Sequence, residues 1–179
     1  MKQKAEFQPL NLDRVNHKSF DCGIESINTY LYRYAARNMG LGLSSTFVLP
    51  VAVNTQYQKY EIAAFYTLAH QSLVTESIPT DQNLPRYPTP VILIAQLGVS
   101  VAYQGQGLGR NTLLTALEHS LAISSHPTGV PSFGVVLDAI NDKALSFYRS
   151  FEFFQEFVGS PNKLFVSMKS IAYLFDKNF

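Results

Sequence analysis

The run Tyr103-Gln104-Gly105-Gln106-Gly107-Leu108-Gly109-Arg110 joins an apolar, strand-like segment, Val91 to Val101, to a helix-like one, Asn111 to Ser124. A strand that feeds a helix through glycines at alternate positions is a building unit of mixed α/β folds. The glycines let the backbone turn its amides toward one point, and the positive end of the helix follows. Together they form a concave site for a phosphate or pyrophosphate. The spacing narrows the ligand further. A Walker loop needs Lys and then Ser or Thr after its last glycine, whereas Arg110-Asn111 follow here. A dinucleotide fingerprint needs G-x-G-x-x-G with an acidic residue about 20 positions on. This chain has G-x-G-x-G and then an amphipathic helix that runs into His126-Pro127. What remains is Gln-x-x-Gly-x-Gly.

The rest of the chain places this loop in a sheet. Around Phe7 to Leu10 the pattern predicts a short first strand. From Ile24 to Asn38, helical spacing puts Ile24, Ile27, Leu31, Tyr34 and Ala35 on one face, with Asp21 as N-cap, Gly40 as stop, and Arg33, Arg37 and Asn28 opposite. Ser45 to Val53 and Glu61 to Leu68 are β-branched and aromatic runs separated by a turn through Asn54-Thr55, as in an antiparallel hairpin. Ser77 to Pro90 holds four prolines and predicts a surface loop beside the substrate entrance. Val91 to Val99 is nearly continuous in apolar character, as a central strand buried on both faces should be. Downstream, Leu113, Leu114, Leu117 and Leu121 mark a helical stripe, and Phe133 to Leu137 a second buried strand. Ala144, Phe147, Tyr148 and Phe151 form a helical face behind Asn141, which can cap it. Leu164 to Met168 is the final strand, ahead of a tail from Ser170 to Phe179. With 179 residues, no repeat and no linker, the chain reads as one mixed α/β domain over residues 1–179.

Composition excludes more than it selects. A formal charge of +1 supplies no field for wholesale nucleic-acid binding, although clusters such as Arg33 and Arg37 can form a local patch. One cysteine, Cys22, rules out an internal disulfide framework and a cysteine-based zinc site, and fits a buried thiol in a reducing cytoplasm. No apolar stretch approaches membrane-spanning length, and the N-terminus lacks the apolar core of a signal peptide. The expected location is therefore the cytoplasm, with no membrane contact. His17, His70, His119 and His126 sit in no motif, so no metal site is expected.

A second motif lies about 40 residues after the glycine loop: Asn141 to Phe154 reads Asn-Asp-Lys-Ala-Leu-Ser-Phe-Tyr-Arg-Ser-Phe-Glu-Phe-Phe. Gln-x-x-Gly-x-Gly, followed in this order by an Asn that precedes a helix with Ala, Phe and Tyr, resembles the GCN5-related N-acetyltransferases, the GNAT family. A narrower resemblance covers most of the chain. Phe20-Asp21-Cys22-Gly23-Ile24-Glu25-Ser26-Ile27-Asn28-Thr29-Tyr30-Leu31, Arg33-Tyr34-Ala35, Ser44-Ser45-Thr46-Phe47-Val48 and Pro90 to Val99 look like GNAT toxins of toxin–antitoxin modules. Two positions depart from that pattern. Gln96-Leu97-Gly98-Val99 stands for the usual Arg-Leu-Ala-Val, and Glu152 for the glycine before Phe153.

The resemblance implies a single GNAT-like domain, a mixed sheet of six to seven strands flanked by helices, and acetyl-CoA as co-substrate. By the same resemblance the backbone of Leu97, Gly98 and Val99 pairs with the pantetheine arm, an N–H near Val99 points at the thioester oxygen, and Gly98 permits close approach. The amides of Gln104, Gly105, Gln106, Gly107, Leu108, Gly109 and Arg110 would hold the pyrophosphate. Tyr148 would be the general acid that protonates the departing thiolate, its alternative role being to pack with Phe147 and Phe151. Asn141 would either bond the pantetheine or cap its helix. The acceptor is a primary amine: the α-amine of an aminoacyl-tRNA, with Arg33, Arg37, Arg86 and Arg110 as phosphate contacts, or alternatively a small amine or a protein N-terminus. An α-amine with a pKa near about 8 requires no dedicated base. A reading of another class is a silent acetyl-CoA-binding module. The toxin resemblance further implies a homodimer and a ribbon-helix-helix antitoxin partner.

Overall fold

In the computed structural model, which describes residues 6–54 and 56–176, the strands are β1 (Gln8–Pro9), β2 (Ser45–Asn54), β3 (Lys59–Leu73), β4 (Thr89–Val99), β5 (Gly134–Asp138), β6 (Gln155–Phe157) and β7 (Ser160–Ser167). They form one seven-stranded mixed sheet in the order β1-β2-β3-β4-β5-β7-β6. The helices are α1 (Glu25–Thr29), a π-helical turn over Tyr30–Tyr34, α2 (Ala35–Gly40), α3 (Leu108–Ser125), α4 (Asp142–Arg149) and α5 (Met168–Asp176). The chain falls into two compact units, Met1–Ala69 with Gln96–Ala116, and His70–Ala95 with Leu117–Phe179.

In the first unit the predicted hairpin forms: β2 and β3 pair antiparallel from Ser45 opposite Leu68 to Asn54 opposite Lys59. Pro50 has no N–H to give the ladder, and register shifts flank it. Thr55 of the expected turn lies outside the described residues; Gln58, at φ +52°, leads into β3. The short β1 pairs with β2, as expected from Phe7 to Leu10. Phe20, Ile27, Leu31, Ala35, Val48, Ile62 and Phe65 make the core of this unit, and the Thr46 and Thr67 hydroxyls satisfy each other inside it at 2.7 Å.

The predicted helix spans Glu25 to Gly40 with two departures. Its N-cap is Ile24 rather than Asp21; the Asp21 carboxylate instead accepts from the Gly23 N–H and the Asn28 amide, both at 2.8 Å. The π turn widens the ring closed by the Ala35 N–H and the Tyr30 carbonyl. That wider turn shifts the angular spacing of the side chains. Leu31 and Ala35 stay buried, while Tyr34, expected beside them, is 46% exposed.

In the second unit β5 pairs parallel with β4 over Ile92–Ile94 and antiparallel with β7 over its whole length. Leu73, Ile78, Val91, Val136, Phe157 and Phe165 form its core. The proline-rich segment is irregular from Pro79 to Pro88, but Thr89 and Pro90 already belong to β4. It is tied down by the Thr75 hydroxyl, which donates to the Tyr87 carbonyl at 2.6 Å. Two elements were not foreseen: β6, which pairs with β7, and α5, which replaces most of the expected tail and buries Ile171. Residues 177–179 of that tail lie outside the described residues.

Helix α3 begins three residues before Asn111, inside the glycine run. Leu113 and Leu117 are fully buried as predicted, but Leu114 and Leu121 are only half-buried; Thr112, Ala116 and Ser120 share the buried face. Thr112 satisfies its hydroxyl on the Leu108 carbonyl at 2.8 Å. No described helix is long and apolar enough to cross a membrane.

Candidate active site

The glycine loop is built in three steps. β4 ends at Val99, a 3-10 turn covers Val101–Tyr103, and the backbone then passes through Gln104 in an extended conformation into Gly105 at φ +73° and Gly107 at φ +80°. Side chains resist both left-handed positions, which is why glycine occupies them. A Cβ at either position would have no atom within 4 Å, so the space beside both glycines is open. Leu108 starts α3, placing Gly109 and Arg110 in its first turn, where the backbone N–H groups have no partner within the helix. Left-handed glycines, open space and a helix N-terminus together make an anion cradle.

The side chains of the loop hold it in place. Leu108 and Tyr103 pack with Val99 against Leu49, Ala63 and Ala64. The Gln104 amide donates to the Val99 carbonyl at 2.8 Å and to the Cys22 carbonyl at 3.0 Å. Gln106 donates to the Ala102 carbonyl at 3.4 Å.

Leu97 and Val99 at the end of β4 are half-buried and Gly98 is buried. The expectation that Gly98 lets a ligand come close meets a different physical reason for the glycine. A Cβ there would stand 2.9 Å from Phe65 Cε1, 3.1 Å from Ile27 Cγ2 and 3.2 Å from Phe20 Cζ. The Phe20 and Phe65 rings meet edge to face at 5.2 Å and fill the space an alanine would need. The peptide after Val99 is fixed at both ends, since the Ser100 N–H donates to the Ala63 carbonyl at 2.8 Å while Gln104 holds the Val99 oxygen.

The second unit carries Asn141 and Tyr148 on one short helix. Asn141 Oδ1 accepts from the Ala144 N–H at 2.8 Å and so caps α4. Two turns on, Tyr148 is 8% exposed, against Phe147 at 5.2 Å and Phe154 at 6.2 Å between ring centroids. Among the described residues its hydroxyl has no hydrogen-bond partner. Burial raises its pKa to about 12, because a phenolate would lose its hydration there. The group is therefore a phenol over the whole physiological range, with a proton to give and no protein acceptor for it. Glu152, the departure from the family pattern, is exposed.

Arg33 and Arg37 are exposed on the helix of the first unit, and Arg86 is exposed in the proline-rich segment of the second. Arg110 is exposed in the first turn of α3. Cys22 is buried, with its thiol pKa raised by that burial. Among the described residues no group of His, Cys, Asp or Glu is arranged to hold a metal ion.

No protein-family model matches the chain. Solved structures do. A tyrosine-to-phenylalanine mutant of KacT aligns with a TM-score of 0.83 at 22% identity, over 96% of this chain and 99% of that one. AtaT complexed with acetyl-methionyl-tRNAfMet aligns at 0.81 and 26%, over 96% and 99%. The fold is that of the GNAT toxins. A further AtaT mutant toxin, bound to the C-terminus of the antitoxin AtaR and to acetyl-CoA, aligns at 0.77 and 24%, over 97% and 99%. The GNAT fold accounts for the mixed sheet and for the succession of strand, glycine loop and helix.

Sequence reasoning did not find the corner at residues 20–28. There Asn28 Oδ1 accepts from the Cys22 N–H at 2.9 Å, the Asp21 carbonyl accepts from the Val101 N–H at 2.8 Å, and the Cys22 carbonyl takes Gln104. Only the Asp21-x-Gly23 turn left a local trace, since an Asp two residues before a left-handed Gly is a turn signature.

Proposed function

We propose that the chain is an acetyl-CoA-dependent N-acetyltransferase whose acceptor is the α-amine of an aminoacyl-tRNA, and that it blocks translation by consuming charged tRNA. The observation that carries this reading is the end-to-end likeness to AtaT, solved with acetyl-methionyl-tRNAfMet. The residues present suit acetyl-CoA: two left-handed glycines stand beside open space at a helix N-terminus, where a pyrophosphate finds amide donors and a favourable dipole.

Acetyl-CoA supplies an acetyl group on a thioester, whose sulfur leaves as a thiolate. The amides from Gly105 to Arg110 bind the pyrophosphate, the Gln104 N–H being taken by the Val101 carbonyl. The backbone of Leu97 to Val99 orients the pantetheine arm, and an N–H near Val99 stabilises the oxygen that gains charge as the amine attacks. Tyr148, a phenol at neutral pH, holds the proton that passes to the departing thiolate, and the attacking amine gives up its own proton to water, from which the phenol is restored. Arg33, Arg37, Arg86 and Arg110 contact phosphates of the acceptor. The proposal includes a cytoplasmic protein, a homodimer and a single catalytic domain over residues 1–179, and the likeness to AtaT bound to the antitoxin AtaR supports an antitoxin partner.

In vitro translation tests the reading. Protein synthesis stops when enzyme and acetyl-CoA are both present and continues when either is omitted; synthesis that runs unimpaired with both present removes it.

A further inference from the structure

The most developed polar contact in the first unit lies behind the glycine loop rather than in front of it. The Gln104 Nε2 donates to two backbone carbonyls, Val99 at 2.8 Å and Cys22 at 3.0 Å. The first is the last residue of β4 and the second belongs to the corner that precedes α1. That corner is itself ordered. The Cys22 N–H donates to Asn28 Oδ1 at 2.9 Å, Asn28 Nδ2 donates to Asp21 Oδ1 at 2.8 Å, and so does the Gly23 N–H at 2.8 Å. The Asp21 carbonyl returns to the loop by accepting from the Val101 N–H at 2.8 Å. Beneath these bonds Phe20 and Ile27 fill the space left by Gly98.

Tyr103 and Leu108 pack at the two ends of the loop, but the stretch between them has two left-handed glycines beside open space and no apolar side chain to define its shape. Amide donors bind a pyrophosphate well only when they are pointed at it before it arrives, because ordering them on binding costs affinity. Both Gln104 amide bonds fall on backbone behind the loop, so this side chain acts on the loop and not on the ligand.

We propose that Gln104 is a positioning residue: by fastening the glycine loop to Val99 and to the Cys22 to Asn28 corner, it presets the loop amides for the pyrophosphate of acetyl-CoA. The inference rests on the acetyl-CoA reading above. It makes the start of the N-terminal helix part of the donor site's support.

Calorimetric titration of the folded full-length chain with acetyl-CoA and with S-acetyl-pantetheine, which has the thioester but no pyrophosphate, tests it. The Gln104→Leu variant removes the donors without adding charge. It should weaken acetyl-CoA binding about tenfold, as expected for two lost neutral hydrogen bonds, and change S-acetyl-pantetheine binding less than about twofold. Asn28→Ala reads the same contact from the corner side and should give a selective loss of about threefold; it also serves should Gln104→Leu fail to fold. Equal weakening of both ligands, or no weakening of either, overturns the positioning role. A wild-type protein that binds no acetyl-CoA overturns the proposed function, and this inference with it.

Discussion

Replacing Tyr148 by Phe separates chemistry from folding within one side chain. The ring contacts with Phe147 and Phe154 are kept, and the lost hydroxyl had no hydrogen-bond partner among the described residues. Removing an unpartnered hydroxyl while keeping the buried ring costs little or stabilises slightly. At neutral pH, denaturant unfolding of Tyr148→Phe should therefore match wild type within about 0.5 kcal/mol or exceed it. Alkaline pH gives a second reading. An unfolded tyrosine loses its proton near about pH 10, whereas the native Tyr148 holds it to about 12. Below the first value both states are protonated and the native state keeps its full stability. Between the two the unfolded state alone releases a proton, so stability falls as pH rises, by a total on the order of 2–3 kcal/mol. Tyr148→Phe lacks this loss, so the difference between the two unfolding curves should open from about pH 10 upward. Turnover, followed as release of free CoA thiol, should drop by about 10²- to 10⁴-fold, with acetyl-CoA affinity within about twofold of wild type. Retained turnover refutes the general-acid role. Unfolding curves that stay parallel through about pH 11.5 refute the burial argument behind it.

Gly98→Ala should lower the melting temperature by about 3 to 10 °C, from an overpacking cost of about 1–3 kcal/mol against Phe20, Ile27 and Phe65. Combined with Phe65→Leu it should cost less than the sum of the two single changes; a fully additive pair in calorimetry would contradict the packing account. Asn141→Ala should cost about 1 kcal/mol of stability through loss of the α4 cap while acetyl-CoA affinity stays within about twofold. Loss of affinity with unchanged unfolding would assign Asn141 to the ligand instead. Gly107→Ala forces a side chain to φ +80°, a strain of about 1–2 kcal/mol. Titration should show acetyl-CoA binding weakened about tenfold or more; unchanged binding would detach the loop from the pyrophosphate.

What the sequence disclosed tracks how local each cause is. Gly105 and Gly107 were legible because a left-handed backbone demands glycine at that position, and the β2–β3 hairpin because its periodicity is written in adjacent residues. The cap on α4 was equally local. Tyr148 stood out through resemblance, yet only coordinates show that its ring is buried and that its hydroxyl has no hydrogen-bond partner among the described residues. No residue type announces the π turn over Tyr30–Tyr34, so Tyr34 was assigned to the wrong face. β6 has three residues and gains its identity from pairing with β7. Gly98 was read as room for a ligand because the aromatic pair that fills its space comes from Phe20 and Phe65, far away in the chain. The Gln104 contact with Cys22 joins residues of long sequence separation, and no spacing rule connects them.

In the proposed reaction the acetyl group passes from acetyl-CoA to the amino acid on a charged tRNA. Incubating the wild-type protein with radiolabelled acetyl-CoA and either aminoacylated or deacylated tRNA tests it most directly. Label should appear on the aminoacylated tRNA alone, recovered as N-acetyl amino acid when the ester is hydrolysed, and almost none should appear with Tyr148→Phe. Label on neither tRNA, or equally on both, would contradict it.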